Sequence, residues 1–500
     1  VDAHGYRNGA FAQDDIKLTA DLTMNVGMRW DFLTDPENNL QYPGLDPTNL
    51  ANPINTVVRI KPDYHNFSPR VGFAYSPHGF LGKLGDGKTV IRGGFGVFYD
   101  STFSNILVNS AQSSPNSVSG LLTQTTGNGL TNATGLIPSI SPQLSPLSAV
   151  TSEVNTFVNP ITSQYNLGIQ RELPGQISLD IRYVGNNSNN LYANQQYNYF
   201  SGLTGQRLNP ARGAINARGN YAVSNYNSLQ ISGEHKFRYG LQVKTNYVYG
   251  KNLSTGDEVF TVGSPTSYDA NLAVGGRYQE YGNSVYDHRQ FFSVSYVYSP
   301  KGLHSSNMIA DGALGLLTRH WTVSGITQLQ SGEYTTIAIN GLDINGDGSS
   351  ANDRAVVSNV AAPITSVGID GAYIGGTRGT YYDLGQLNGP GNVVVGPASQ
   401  FHYLVPVGTA NQFLSSEIGR NSLLHPGTTR NDIALEKGFG LSYLHLSRGN
   451  VILRAEGQNV FNHNDNGVGD SSILDINAGY NTPTRVGSQR VLILWAKIVF

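Results

Sequence analysis

The chain has 500 residues, only 13% of them charged, and its 32 Lys+Arg nearly balance 34 Asp+Glu, so without a basic stripe a nucleic-acid partner is not expected. It contains no cysteine, which excludes a disulfide framework and a thiolate metal site. No apolar run reaches about 18 residues, which excludes a helical membrane span but not a β-barrel, whose signal per strand is weak.

A chain this long exceeds one ordinary soluble core, and no Pro-rich or charged linker divides it. It is therefore read as one large β architecture over residues 1–500. It opens at Val1 without a signal peptide and reads as a mature or truncated piece.

In chain order, Phe11–Leu18 is a mixed strand. Leu22–Phe32 then puts Leu22, Met24, Val26, Met28, Trp30 and Phe32 on one face and Asn25, Arg29 and Asp31 on the other. After a Pro-, Asn- and Asp-rich loop from Thr34 to Asn66, strands are predicted at Phe67–Tyr75 and Lys88–Tyr99. The second is interrupted by glycines, which a strand tolerates where close packing or curvature needs them. A polar stretch from Asp100 to about Thr162 has no usable period. Tyr165–Leu173 and Ile177–Gly185 form a hairpin around Pro174-Gly175, with Arg171 the exception on its apolar face.

A loop is then read from Asn186 to Asn225. The clearest pair follows it, Tyr226–Phe237 and Leu241–Gly250, both halves alternating strictly about a turn at Tyr239-Gly240. Further strands are predicted at Phe291–Tyr298, Trp321–Gln330, Arg430–Gly438, Val451–Phe461 and Arg490–Phe500, with a very long excursion from Glu333 to about Thr429.

This makes about thirteen antiparallel strands. Their connections alternate short and long, the link from Ser299 to His320 fitting the short set least well. A transmembrane β-barrel with short periplasmic turns and long extracellular loops has that asymmetry, and a soluble sandwich has no reason for it. The alternation sends the last strand toward the periplasm. There Leu492, Leu494, Ala496 and Ile498 precede the terminal Phe500, like a signal for the barrel assembly machinery.

Several ordered segments carry a family resemblance: Asn66-Phe-Ser-Pro-Arg-Val-Gly-Phe-Ala-Tyr75, Gly87-Lys-Thr-Val-Ile-Arg-Gly-Gly-Phe-Gly-Val-Phe-Tyr-Asp100, Tyr226-Asn-Ser-Leu-Gln230, Asp287-His-Arg289, Gly325-Ile-Thr-Gln-Leu-Gln-Ser-Gly332 and Arg454-Ala-Glu-Gly-Gln-Asn-Val-Phe-Asn-His463. They resemble the barrel of Oar-like TonB-dependent receptors. That resemblance implies the outer membrane of a Gram-negative-type bacterium, lipid around the wall, and a barrel of about 22 strands of which these are the C-terminal part. It also implies coupling to the TonB complex through an N-terminal region, with a plug, that this chain does not contain. The imported solute is not legible. A surface adhesion or assembly role acting through the long loops is the alternative, and a secreted soluble β protein a third reading.

The sharpest polar motif is Asp343-Ile-Asn-Gly-Asp-Gly-Ser-Ser-Ala-Asn-Asp353. Asp343, Asn345 and Asp347 with Gly348 match the first half of a calcium loop, but Arg354 stands where such loops place a bidentate Glu, leaving Asp353 as the nearest substitute. A plain Asx and Gly turn is the other reading. His235 has no second ligand at metal spacing, and no G-x-S-x-G elbow is present, so no enzyme is expected. The inward polar residues Arg29, Arg92, Asp180, Arg182, Glu234, Lys236, Lys244, Arg454 and Glu456 are read together, as charges that can pair across neighbouring strands, while for each one singly a solvated lumen is the leading reading.

Overall fold

The computed structural model describes residues 3–4, 6–33, 37–38, 40, 42, 44–55, 63–79, 85–101, 104–117, 145–154, 158–201, 205–237, 239–258, 280–339, 342, 344, 353–363, 366–383, 395–407, 418–440, 449–464, 466–468, 483–485 and 489–499.

Thirteen strands succeed one another in a single antiparallel path, each bonded to its neighbours in chain order. They are β1 (Arg7–Lys17), β2 (Leu22–Leu33), β3 (Phe67–Tyr75), β4 (Thr89–Tyr99), β5 (Ile161–Leu173), β6 (Ile177–Gln196), β7 (Ile215–Lys236), β8 (Leu241–Ser254), β9 (Gln290–Tyr298), β10 (Trp321–Gln330), β11 (Thr428–Gly440), β12 (Asn450–Gln458) and β13 (Val491–Val499). The predicted count is met, and β1 and β13 are the two ends of the path.

Register explains why one face is apolar throughout. Leu167 stands opposite Tyr183 and Ile169 opposite Ile181. The rows continue through Ile181 to Ile231 and Tyr183 to Leu229, then through Leu229 to Tyr249 and Ile231 to Tyr247. Because side chains alternate across a strand, every such row lies on the same face. These side chains are left uncovered, Leu494 to 80%, and the same sheet in water would forgo roughly 25 cal/mol for each Å² so exposed.

Three of the interior glycines belong to this face. Phe73 stands directly opposite Gly93, Tyr165 opposite Gly185 and Tyr296 opposite Gly325. A Cβ at these glycines would meet the facing ring at 2.5, 2.4 and 2.5 Å respectively. The missing side chain is the seat of the ring, and the strand loses no packing there.

One end of the sheet carries the short connections 18–21, 76–88, 174–176, 237–240 and 441–449 together with the longer 299–320, and the other carries 34–66, 100–160, 197–214, 255–289, 331–427 and 459–490. Arg171 lies at the short-link end, where its guanidinium pairs with Asp86 of the 76–88 link at 2.9 Å. That position removes the anomaly of a cation on the apolar face.

Three expectations are corrected. Most of the segment from Asn186 to Asn225 is strand, because β6 and β7 stay paired as far as Gln196 and Asn216 with register shifts between Ser188 and Ala193. The polar stretch after Asp100 includes a helix, α1 (Ser104–Gln112), and a strand at Val150–Glu153 that pairs parallel to the start of β7. The link from Ser299 to His320 holds a second helix, α2 (Met308–Thr318).

At the long-loop end the chain buries a core of its own. Leu45, Val150, Val154, Ile215 and Ala217 cluster where three loops meet the top of β7. Ile337, Ile339, Ile344, Ala355, Val367, Ile369, Tyr403, Val405 and Leu423 form a larger cluster inside the 331–427 excursion. A five-stranded sheet there includes Val367–Asp370 beside Tyr403–Val405.

Candidate functional site

Two constructions could act on a solute, the polar face of the wall and the folded cap at the long-loop end. On the polar face of β5 to β8 a groove of about 360 Å³ is lined by Gln170, Ser178, Asp180, Arg182, Glu234, Lys244 and Asn246 among others. Arg182 grips Asp180 in a two-point pair at 2.7 and 2.6 Å, a fixed geometry that a planar guanidinium favours. Ser232 donates to Asn246 at 2.9 Å across the β7–β8 pair. Parity alone assembled these residues on one face, as the alternation in the sequence required.

Their ion pairs run mainly along strands rather than across them. Arg29 bonds Asp31 at 2.7 Å, Arg182 bonds Asp180 and Arg430 bonds Asp432 at 2.9 Å. Arg454 does both, meeting Glu456 on its own strand at 3.2 Å and Glu436 on β11 at 3.7 Å. Residues two apart share a face, and the long arginine stem spans that interval while its head stays in water.

The base of the cap is different in kind. Arg420, whose side chain is fully buried, meets Asp257 in a close ion pair and donates to the Ser254 carbonyl at the top of β8 at 2.9 Å. Arg354 holds both oxygens of Glu280 at 2.7 and 2.8 Å, each side chain 4% exposed. Asn421 accepts from Thr336 at 2.9 Å and donates to the Asn283 carbonyl at 2.6 Å. A side chain at Gly282 would press on the Arg420 carbonyl at 2.4 Å, so this junction admits only glycine without displacement. Burial pulls the Arg420 guanidinium below the ordinary arginine range, and Asp257 and Glu280 oppose that pull. The excursion 331–427 and the loop 255–289 are thus joined to β8 through charge that water does not reach.

A family model described as an outer membrane beta barrel domain matches residues 1–492. The chain belongs to that family. It is an outer-membrane β-barrel protein of a Gram-negative-type envelope. The apolar face of the barrel wall therefore meets lipid and the polar face the lumen. The end with short links is periplasmic and the capped end extracellular.

Among solved structures, the barrel chain is similar to the outer membrane transporter YddB from Escherichia coli, at 10% identity and TM-score 0.49, over 99% of this chain and 45% of that one. It is also similar to the FrpB iron transporter from Neisseria meningitidis (F3-3 variant), at 10% identity and TM-score 0.43, over 98% and 45% of the two chains. The pyoverdine outer membrane receptor FpvA from Pseudomonas aeruginosa PAO1 matches at 11% identity and TM-score 0.43, over 99% and 42%. This chain thus spans less than half the length of these structures. No curated protein matches it.

The barrel's candidate calcium residues are only partly placed. Asp343, Asn345 and Asp347 lie outside the described residues. Asp353 is fully buried, its carboxylate accepting from the Ile344 amide at 3.2 Å and its carbonyl from the Ile339 amide at 2.9 Å. Arg354, at the position of the usual bidentate Glu, turns to Glu280 instead. His235 sits at the periplasmic rim with its ring edge-on to Phe237. Among the described residues no group of three or more His, Cys, Asp or Glu comes together. Phe500 also lies outside the described residues, while Leu492, Leu494 and Ile498 before it are exposed on the lipid face.

Sequence reasoning missed Asp257, Glu280, Arg354 and Arg420. Their loops carry no pattern that marks these pairs, which join positions 74 and 163 residues apart.

Proposed function

We propose that this chain is the C-terminal barrel part of a TonB-dependent outer-membrane receptor of the Oar-like type, importing a bulky solute with energy from the periplasmic TonB complex. The carrying observation is the open path of the wall. Among the described residues thirteen strands end in β1 and β13 with no pairing between them, and the cost of unpaired backbone groups at membrane depth supports a larger wall. Closure at about 22 strands gives the plugged-transporter class. The charged lumen face of β5 to β8 supports the same reading, since it offers a plug or a passing solute a fixed set of donors and acceptors. The last strand, Val491–Val499, with Phe500 next in sequence, is the element that the barrel assembly machinery would take. No residue of this chain is assigned a catalytic role.

The test is the protein in the native outer membrane. An antibody to the cap should detect a species much larger than the 53.8 kDa of this chain, and a purified TonB periplasmic domain should retain it. A heat-modifiable barrel of 53.8 kDa that ignores TonB would overturn the reading.

A surface adhesion role is the second reading, favoured by the outward apolar residues of the cap, Val360 and Val395. Deleting residues 333–427 would then abolish cell contact and leave uptake intact.

Within the cap, we propose that Asp343, Asn345 and Asp347, with Asp353, hold a structural calcium ion. Support comes from the ligand spacing and from the burial of Asp353 beside the largest core cluster of the cap.

A further inference from the structure

Helix α2 lies in the periplasmic link between β9 and β10 and buries no residue. Met308 is 88% exposed, and Ile309, Leu316 and Leu317 are exposed with it. A free apolar helix of this kind is unstable in water, where helical stability comes from burying one face. Eleven residues reach about 16 Å, too short to cross a bilayer.

Its polar groups are all turned to the protein. Asn307 caps the Ile309 and Ala310 amides at 3.0 and 3.1 Å. Asp311 pairs with Arg319, whose Nε donates to the Leu303 carbonyl at 3.1 Å. Trp321, the first residue of β10, donates its indole N–H to the Leu317 carbonyl at 2.7 Å. The helix is thus held in one orientation, with its apolar side chains presented outward.

Between Leu316 and Leu317 on the helix and Trp321, Leu435, Phe439 and Leu453 on the wall lies an apolar groove of about 800 Å³. Leu435, Phe439, Leu453 and Leu494 among its wall residues belong to the lipid-facing side, so the groove continues the surface that the bilayer already covers. Lys437 also lines it. Its ammonium lies over the Trp321 and Phe439 rings at 5.1 and 5.4 Å and donates to the Arg319 carbonyl at 2.5 Å. Lys437 is only 6% exposed, so its charge is held inside by the two rings and the carbonyl, and the groove is left apolar.

We propose that α2 is an interfacial brace lying in the periplasmic leaflet, and that the groove between it and β10 to β13 holds the acyl chains of one glycerophospholipid. The bilayer supplies the cover that the helix lacks, as it does for amphipathic helices that lie in the headgroup plane. Aromatic rings and a lysine at one level are also the usual anchors of a membrane-water interface. This inference rests on the outer-membrane placement of the barrel and is independent of TonB coupling.

The chain has no cysteine, which suits single spin labels. The full-length protein would be reconstituted in vesicles of phosphatidylethanolamine and phosphatidylglycerol, with nitroxides at Ile309→Cys, Leu316→Cys and, as a control, Ser306→Cys. Labels at 309 and 316 should be more accessible to oxygen than to an aqueous nickel chelate, at a depth of about 5–10 Å below the phosphates, with 306 aqueous. Labels at 309 and 316 that favour nickel would overturn the proposal. So would labels shielded from both reagents, which would mean a protein partner or a second copy. A nitroxide at Leu453→Cys, inside the groove, should likewise be more accessible to oxygen than to nickel, and a label there that favours nickel would overturn lipid in the groove.

Discussion

The two ends of the wall are finished by opposite means. At the extracellular end Arg420 with Asp257 and Arg354 with Glu280 are taken out of water and joined to a core of isoleucine and valine. At the periplasmic end the links are short, and the largest of them carries a helix that buries nothing. The difference follows from the solvent at each end. A loop standing in water must enclose its own interior to keep a shape, whereas a helix against a bilayer borrows the hydrocarbon as its interior.

The comparison is broken most directly at Arg420. Arg420→Ala leaves Asp257 buried without its cation, and the cap is expected to lose about 3–5 kcal/mol of local stability. Hydrogen exchange of the 331–427 amides would show it, while the wall amides of β5 to β8 stay protected. Replacing both Arg354 and Glu280 by leucine should cost far less and could even stabilise by about 1 kcal/mol, because the desolvation of the pair goes with it. A large loss in that double variant would mean that the charges act beyond holding the cap in place.

Next in size is the proposed calcium. Saturating chelator should destabilise the cap by about 2.7 kcal/mol if the ion stood at a hundredfold over its dissociation constant. A melting profile that ignores chelator would leave the Asp343–Asp353 segment as a plain turn.

Midway along the wall, Gly185→Val puts a branched side chain where the Tyr165 ring sits. Overpacking of this sort costs about 1–3 kcal/mol, readable as a lower temperature of unfolding in detergent.

The smallest effect belongs to the periplasmic end. Arg319, together with the Ser305 amide, holds the Asp311 carboxyl down from 3.8 to about 2. A lowered folded-state value stabilises the link above the ordinary carboxyl range and is lost as pH falls from about 4 toward about 2. Protease cleavage of the 299–320 link should therefore rise between pH 4 and pH 2 and change little between pH 5 and pH 8. Asp311→Asn should remove that dependence.

The thirteen strands were legible because lipid imposes period two on every residue that crosses it. That discipline ends at the membrane surface. From Asn186 to Asn190 and again through Ser224 and Asn225 both faces meet water or loop, so polar residues fill both parities and the strands leave no pattern to read. Helix α2 hid for a different reason. Gly312 and Gly315 depress helix propensity in so short a segment, and what stabilises it lies outside the chain. In the candidate site, side-chain parity gave the lumen residues of β5 to β8, but the pairing direction depended on how far an arginine reaches along its own strand. The buried pairs of the cap were illegible because contact between residues so distant in sequence is decided by the fold of two loops together.

The paired arms of β6 and β7 above the membrane carry a practical consequence. From Asn186 to Gln196 the strand rises about 34 Å by its own length, ending beside the small hairpin of Phe200–Ser201 and Gln206–Arg207. That hairpin is tethered by Asn198, which gathers the carbonyls of Asn209, Arg212 and Gly213. A paired mast whose end is tethered in this way is a natural place for an inserted epitope or fluorophore. Beside Gly205, such a tag would report the living cell surface without passing through the cap.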